Sequence, residues 1–321
     1  MEFSFRMRGA ARFSGRIRTF VKARTDSLTP REALLSDSSD SANSDQRPAD
    51  IETGRLLELF LLGIIVTLFA GHAGFHGYHA VMQVGPDDRI PWNVLIPLFA
   101  TFGFVGALLA LGWRRTLALF GLACGISFAA EWIGESTGLI FGNYYYTDVL
   151  RPKILGRIPV IIPLAYFMLL YPAYLISNLL LDGKAVAPKR TGRHLVGAAL
   201  LTALIMTAWD LAYDPLMTVA FEAWVWPDGG AYFGVPFHNF FGWVGTCFVI
   251  TLAFGLVEPL IPLKPLGKPR KWVSVLALVG FMTLGIGDIF SGFPEGTRVL
   301  APFTMGIPIL AALLRLYVPE S

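Results

Sequence analysis

Residues 194–215 read HLVGAALLTALIMTAWDLAYDP, an apolar run that ends in two aspartates four residues apart. A helix needs about 20 apolar residues to cross the hydrocarbon core of a bilayer, and this stretch supplies them. Asp210 and Asp214 would share one face of that helix. Pro215 predicts a kink or a helix end there, with freed backbone carbonyls. A charge at mid-bilayer costs roughly 2.5–3.5 kcal/mol, so such residues usually face a bundle interior and indicate function.

The composition of the whole chain is that of a membrane protein. Of its 321 residues, 54% are hydrophobic and 15% are charged, and the mean hydropathy is +0.57. Soluble domains have about 25% charged residues. The net charge of +3 comes from an N-terminal cluster and short loops, and it does not indicate nucleic-acid binding. Cys124 and Cys247 both lie in apolar segments, so we predict no disulfide framework.

Eight apolar segments of about bilayer-spanning length follow one another along the chain. We therefore predict an all-α fold, a polytopic transmembrane helical bundle, with seven helices as the alternative count. The predicted segments are 56–80, 92–112, 116–136, 158–181, 194–218, 238–262, 272–291 and 299–318.

Residues 1–54 form a separate tail in front of the transmembrane domain, which we place at 55–321. The start of the tail is rich in arginine, and residues 36–50, SDSSDSANSDQRPAD, have too few apolar side chains for a core. We predict that this basic and then Ser/Asp-rich tail is disordered. It has no apolar region typical of a secretory signal. A lipid-binding arm and an organelle-targeting segment are the two interpretations left open.

Basic residues in the loops predict the orientation in the membrane. Most follow the second, fourth and sixth segments, which predicts a multi-pass protein of the cell membrane with cytoplasmic N- and C-termini. Three cations in the 137–157 loop oppose this: Arg151, Lys153 and Arg157. In either orientation, segments 1, 3, 5 and 7 end on one side. The ionisable residues that we expect to be buried lie near those ends: His72, His76, His79, Glu131, Glu135, Asp210, Asp214 and Asp288.

The carboxylic acids form two i,i+4 pairs, Glu131 with Glu135 and Asp210 with Asp214. Two close carboxylates in a low dielectric cannot both ionise easily, so each pair could supply a general acid and a general base. The alternative is ion pairing with other helices, but no apolar segment has Lys or Arg away from its ends. Asp288, between glycines in GIGDIF, is either a supporting site residue or a polar contact between helices.

The histidines 72, 76 and 79 have a helical spacing that could supply metal ligands. The chain has only five histidines, far fewer than di-iron membrane hydroxylases and desaturases use. We therefore predict no metal site and treat His76 as a supporting residue.

Two loops on the side of the acids are rich in aromatic residues and glycine. They read TGLIFGNYYYTD (137–148) and WVWPDGGAYFGVPFHNFFGW (224–243). Aromatic faces can stabilise a cation by about 0.5–2 kcal/mol, whereas the alternative is an interfacial aromatic belt. We predict four cation-stabilising residues, Trp132, Trp209, Trp243 and Tyr144. Three polar residues could position a water molecule: Asn143, His238 and Asn239.

Four motifs in order resemble the membrane-bound carotenoid biosynthesis family of carotenoid 1,2-hydratases. They are EWIGESTGLIFGNYYYTD, LGRIPVIIPLAYFMLLYPAY, WDLAYDPLM and GGAYFGVPFHNFFGW. The resemblance covers residues 120–250 well and the other helices loosely. It implies a hydro-lyase that adds water to the terminal 1,2 double bond of an acyclic (ψ) carotenoid end group, without a cofactor. The implied partners are an acyclic carotenoid, water and the lipid bilayer, with other carotenoid-pathway enzymes as further candidates.

Hydration of an alkene needs an acid that protonates one carbon and a base that deprotonates the attacking water. We expect Asp210 to be the acid and Glu131 the base, with Asp214 and Glu135 as the other candidates. A ψ-end cyclase would begin with the same protonation. The D-x3-D spacing of DLAYD is also typical of a polyprenyl transferase, and buried acids are typical of a proton-coupled transporter.

Overall fold

The computed structural model describes residues 55–317 except 72, 76, 79–91, 187, 266–270 and 292. The predictions for the tail and for His72, His76 and His79 therefore lie outside the described residues. The described part is a bundle of α-helices with only two-residue strands, which confirms the all-α fold class.

Eight helices occupy the eight predicted segments. They are α1 Arg55–Phe75, α2 Trp92–Leu111, α3 Trp113–Thr137, α4 Ile161–Asp182, α5 Gly192–Ala220, α6 Phe237–Leu260, α7 Lys271–Ser291 and α8 Gly296–Tyr317. All except α7 are long and apolar enough to cross a membrane; α7 contributes the shorter apolar stretch Lys271–Ile286. The chain is therefore a multi-helix membrane protein.

Helix α4 lies at the centre of the bundle. It packs against α2, α3, α5, α7 and α8, and 78% of its apolar window is buried. Its tyrosines Tyr166 and Tyr171 are fully buried. A helix that is largely apolar on all sides belongs inside a bundle. The hydroxyl of Tyr166 has a hydrogen-bond partner within the protein, whereas that of Tyr171 has none among the described residues.

The connections that follow α3 and α5 meet at one end of the bundle. Strand β1 (Tyr145–Tyr146) of the first pairs antiparallel with β4 (Trp224–Val225) of the second. Between them in sequence, β2 (Lys153–Ile154) and β3 (Ile158–Pro159) form a small hairpin. The ends of α3 and α5 thus lie on the same side of the bundle, as the sequence predicted, and aromatic residues cover that end.

The sequence predicted that helix α5 either kinks or ends at Pro215; in the structure it continues past the proline. Pro215 is helical, with φ −59° and ψ −41°, and the chain continues as a π-helical turn, Leu216–Ala220. Proline has no N–H for the carbonyl four residues earlier, which belongs to Leu211. The hydroxyl of Tyr232 donates to that oxygen at 2.5 Å. The freed carbonyl therefore has a partner in the aromatic loop, and the helix passes the proline by widening.

Candidate active site

A cavity lies beneath the aromatic loops, between α2, α3, α4, α5 and α6. Its empty volume is about 920 Å³, including the space at its open mouth. Three carboxylic acids line it: Glu131, Asp210 and Asp214. Ten aromatic side chains form much of the remaining wall: Trp92, Phe99, Phe141, Tyr144, Tyr146, Trp209, Tyr213, Trp224, Trp226 and Trp243. The structure thus places acids from α3 and α5 in one apolar chamber.

Glu131 is the most heavily hydrogen-bonded of the three acids. It is 3% exposed. Its Oε2 accepts hydrogen bonds from the hydroxyls of Tyr144 and Tyr146, the latter at 2.7 Å, and its Oε1 accepts one from Tyr166 at 3.2 Å. Side chains alternate along a strand, so Tyr144 and Tyr146 point to the same side while Tyr145 between them is 47% exposed.

This arrangement suits a charged carboxylate. An ionised carboxylate only accepts hydrogen bonds, and hydrogen bonds to a charged acceptor are stronger than neutral ones. Burial, followed by the negative charge of Glu131, raises the pKa of Tyr144 above its usual 10.0, and the same two causes raise the pKa of Tyr146. The phenols therefore keep their protons and remain donors.

The two aspartates of α5 have different surroundings. Both are buried. The side-chain amide of Asn239, on α6, donates to Oδ2 of Asp214, whereas Oδ2 of Asp210 has no hydrogen-bond partner among the described residues. Carboxyl groups in contrasting environments are suited to different acid and base roles. Within the part of the chain that the structure describes, no three His, Cys, Asp or Glu side chains converge to hold a metal ion.

The aromatic walls are held in place by their own contacts. The ring of Trp243 stacks on Tyr166, with centroids 4.3 Å apart and an interplanar angle of 8°. The centroids of the Trp209 and Phe281 rings lie 4.3 Å apart. Trp226 anchors the loop, because its Nε1 donates to the carbonyl of Phe141 at 2.9 Å. The cavity therefore presents fixed aromatic surfaces next to the three acids.

Two predicted site residues of α3 lie away from the cavity. Glu135 forms an ion pair with Arg157 of the β2–β3 hairpin. The guanidinium of Arg157 also lies 4.9 Å from the centroid of the Trp132 ring. Ion pairing, the alternative interpretation of the acids, thus applies to Glu135, and its cation comes from a loop. Of the four predicted acids, three line the cavity: Glu131 of α3, and Asp210 and Asp214 of α5.

The predicted water-positioning residues are likewise divided. Asn239 lines the cavity and contacts Asp214. Asn143 is exposed and donates to Asp228 at 3.1 Å, and His238 is exposed at the start of α6. The backbone of Asp288 belongs to α7, but its side chain lies outside the described residues. His76 lies outside them too.

Several residues at the site were missed at the sequence level: Tyr146, Trp224 and Trp226 line the cavity, and Tyr166 donates to Glu131. Tyr146 follows Tyr144 by two residues, but three successive tyrosines show no period-2 pattern that would have indicated a strand. Tyr166 lies in a largely apolar helix, where a buried phenol normally has a hydrogen-bond partner. The sequence offered no comparable sign for the two tryptophans.

Comparisons with known proteins identify the family. The model of the family described as "Carotenoid biosynthesis protein" matches residues 92–313, a range that includes every residue lining the cavity. Bisanhydrobacterioruberin hydratase from Haloarcula japonica is 33% identical over 175 residues, 52% of this chain. The match spans 56% of that relative, so little more than half of its length is represented. No solved structure matches the chain. The resemblance predicted from the four motifs is therefore confirmed, and the chain belongs to the carotenoid biosynthesis protein family.

Proposed function

We propose that the protein adds water to the terminal 1,2 double bond of an acyclic carotenoid end group and forms a tertiary alcohol. One observation carries the proposal. Glu131, held by three tyrosine hydroxyls, shares an apolar aromatic cavity with Asp210, whose Oδ2 has no hydrogen-bond partner among the described residues. The hydratase name of the relative from Haloarcula japonica supports the same reaction.

Asp210 is the proposed general acid. A buried carboxyl without hydrogen-bond donors is most stable as the neutral acid, because burying an isolated charge is costly. The π electrons of the double bond take the Asp210 proton at C2, which leaves a tertiary cation at C1 and a carboxylate on Asp210. A positioned acid of this kind typically contributes about 10²–10⁴-fold to a rate.

The aromatic walls are proposed to stabilise the cation. Trp209, Trp243 and Tyr144 line the cavity together with the acids, and Tyr144 also donates to Glu131. The face of an aromatic ring attracts a cation with about 0.5–2 kcal/mol.

Glu131 is the proposed general base. The oxygen of a water molecule bonds to C1 while Glu131 takes one of its protons, so the product contains exactly one added water. Transfer of that proton from Glu131 back to Asp210 restores the starting state. Asp214 and Asn239 face the same cavity and would orient the water.

Expression of the chain in cells that make an acyclic carotene such as lycopene tests the proposal. The wild-type protein should yield pigment heavier by one water for each reacted end, and Asp210→Asn at equal membrane abundance should yield none. A product with the mass of the substrate would instead support cyclisation, which starts with the same protonation. Unchanged pigment with the wild-type protein would overturn the proposal.

A further inference from the structure

The cavity that contains the acids shares lining residues with a neighbouring cavity. A second cavity of about 620 Å³ lies between α1 and α2. Leu95 and Phe99, one helical turn apart on α2, line both cavities. Side chains with this spacing lie on the same helix face. Two side chains of α2 thus form the boundary between the acid chamber and the second cavity.

A third cavity continues along α1. It is a depression on α1 alone, its volume of about 620 Å³ includes open space outside the protein, and it shares Thr67 and Leu68 with the second. The residues that α1 contributes to the two outer cavities run from Phe60 to Phe75. At 1.5 Å per residue this is roughly 22 Å of helix, compared with about 30 Å for the hydrocarbon core of a bilayer.

The opposite end of the acid chamber is covered. The ladder between β1 and β4 and the bond from Trp226 to Phe141 join the two aromatic loops above it. The joined loops lie across this end, whereas Leu95 and Phe99 adjoin a further apolar cavity that could take the remainder of a long hydrocarbon with one end at Asp210.

We infer that the second and third cavities form a groove for the polyene chain of the substrate, while the acid chamber takes the reacting end group. This rests on the proposed function for the identity of the end group. The groove is lined almost entirely by apolar side chains, and α1 faces it with Gly63 and Gly71. Both glycines are exposed, so a hydrocarbon dissolved in the bilayer could enter sideways.

The two glycines also provide the test. A Cβ atom added at Gly63, Gly71 or Gly74 would meet nothing within 4 Å. A larger side chain at Gly71 therefore fills the groove without displacing protein atoms. Gly74 lies on the same helix but lines neither outer cavity, so Gly74→Phe is a matched control with the same change in size and helix propensity.

The experiment measures binding, not turnover. Full-length wild-type protein, Gly71→Phe and Gly74→Phe in nanodiscs are titrated with lycopene and with a short terpene that has the same end group, followed by quenching of tryptophan fluorescence. In Gly71→Phe, the affinity for lycopene relative to the short terpene should fall roughly tenfold or more, since the phenyl ring would occupy space that the polyene needs. The ratio should stay at its wild-type value in Gly74→Phe.

Other outcomes separate this inference from the proposed reaction. An unchanged ratio in Gly71→Phe, or an equal fall in both variants, would overturn the groove. Failure of the wild-type protein to bind lycopene would overturn it as well. The expected binding pattern together with unaltered pigment in producing cells would support the groove and reject the hydration.

Discussion

Two buried glutamates, Glu258 and Glu131, lie at opposite ends of the bundle and differ in the kind of side chain that contacts their carboxylates. Glu258, at the end of α6, accepts a hydrogen bond from Tyr174 at 3.0 Å and forms an ion pair with Arg115 at 2.7 Å. Arg115 also donates to the carbonyl of Ile261 at 3.0 Å. Among the described residues, Glu131 accepts from tyrosine hydroxyls alone. Glu258 is balanced by a cation and joins α3 to α6, whereas Glu131 has polar partners but no cation in the part of the chain that the structure describes.

We propose from this contrast that Glu258 has a structural role and Glu131 a chemical one. A buried ion pair with further hydrogen bonds recovers much of the cost of desolvation. At the other end, three acids line one cavity, and no Lys or Arg is among the residues that line it. Such an arrangement is costly for folding, which makes function the better explanation for it.

The largest effect on turnover is expected for Asp210→Asn, which keeps the shape of the side chain but removes its proton. Turnover of an acyclic carotene by purified protein should fall by about 10²–10⁴-fold, since the general acid is lost. Asp228→Asn is the control, because Asp228 is exposed at the same end of the bundle. Wild-type turnover in Asp210→Asn would exclude Asp210 as the acid.

The next effect concerns the tyrosines that hold Glu131. Tyr146→Phe removes one donor and should lower turnover about ten- to a hundredfold, the cost of one hydrogen bond to a charged group. Tyr145→Phe should leave turnover at the wild-type level, because Tyr145 points away and is 47% exposed. Equal turnover in the two variants would show that the tyrosine hydroxyls do not serve the base.

At the opposite end, Glu258→Gln should affect folding and not turnover. It leaves Arg115 buried without its counter-charge, so the free energy of unfolding should fall by about 3 kcal/mol. Thermal unfolding in detergent measures this, and turnover per folded protein should remain within about twofold of wild type. The double variant Arg115→Met, Glu258→Met should be less destabilised than Glu258→Gln. A large loss of turnover with unchanged stability would contradict the distinction between the two glutamates.

The smallest expected effect is a pH dependence caused by Tyr232. Burial, followed by the charge of Asp214, raises the pKa of Tyr232 from 10.0 to about 12. The unfolded chain therefore releases this proton first, and the free energy of unfolding should fall as pH rises from 10 to 12. Thermal unfolding across this range should show a shallower decline in Tyr232→Phe than in wild type. Tyr317→Phe, an exposed position at the end of α8, should match wild type.

The number and positions of the helices were predictable because an apolar segment of bilayer-spanning length predicts a helix. Every predicted apolar segment corresponds to a helix, and the alternation of loops placed the ends of α3 and α5 on one side. The strand pair between the two aromatic loops was not predicted. Its strands are two residues long, too short for a period-2 pattern to stand out from the aromatic composition.

The site was predictable only in part, because sharing one helix face does not determine what the face meets. Glu131 and Glu135 are one turn apart, yet Glu131 faces the cavity and Glu135 meets Arg157. That outcome depends on how the β2–β3 hairpin folds back onto α3. The contribution of Tyr166 depends on the rotation of α4 in the bundle. Both are consequences of tertiary packing that spacing along the sequence does not contain.

The alternation of Tyr144, Tyr145 and Tyr146 along β1 has a consequence for how the connection after α3 can change. Surface loops usually tolerate insertions and deletions. Here the removal of one residue before Tyr144 would slide the strand by one place and turn Tyr145 towards Glu131 while its neighbours turn outward. Position 145 could therefore accept other residue types. The number of residues from Gly138, where α3 ends with φ 70°, to Tyr144 must stay the same.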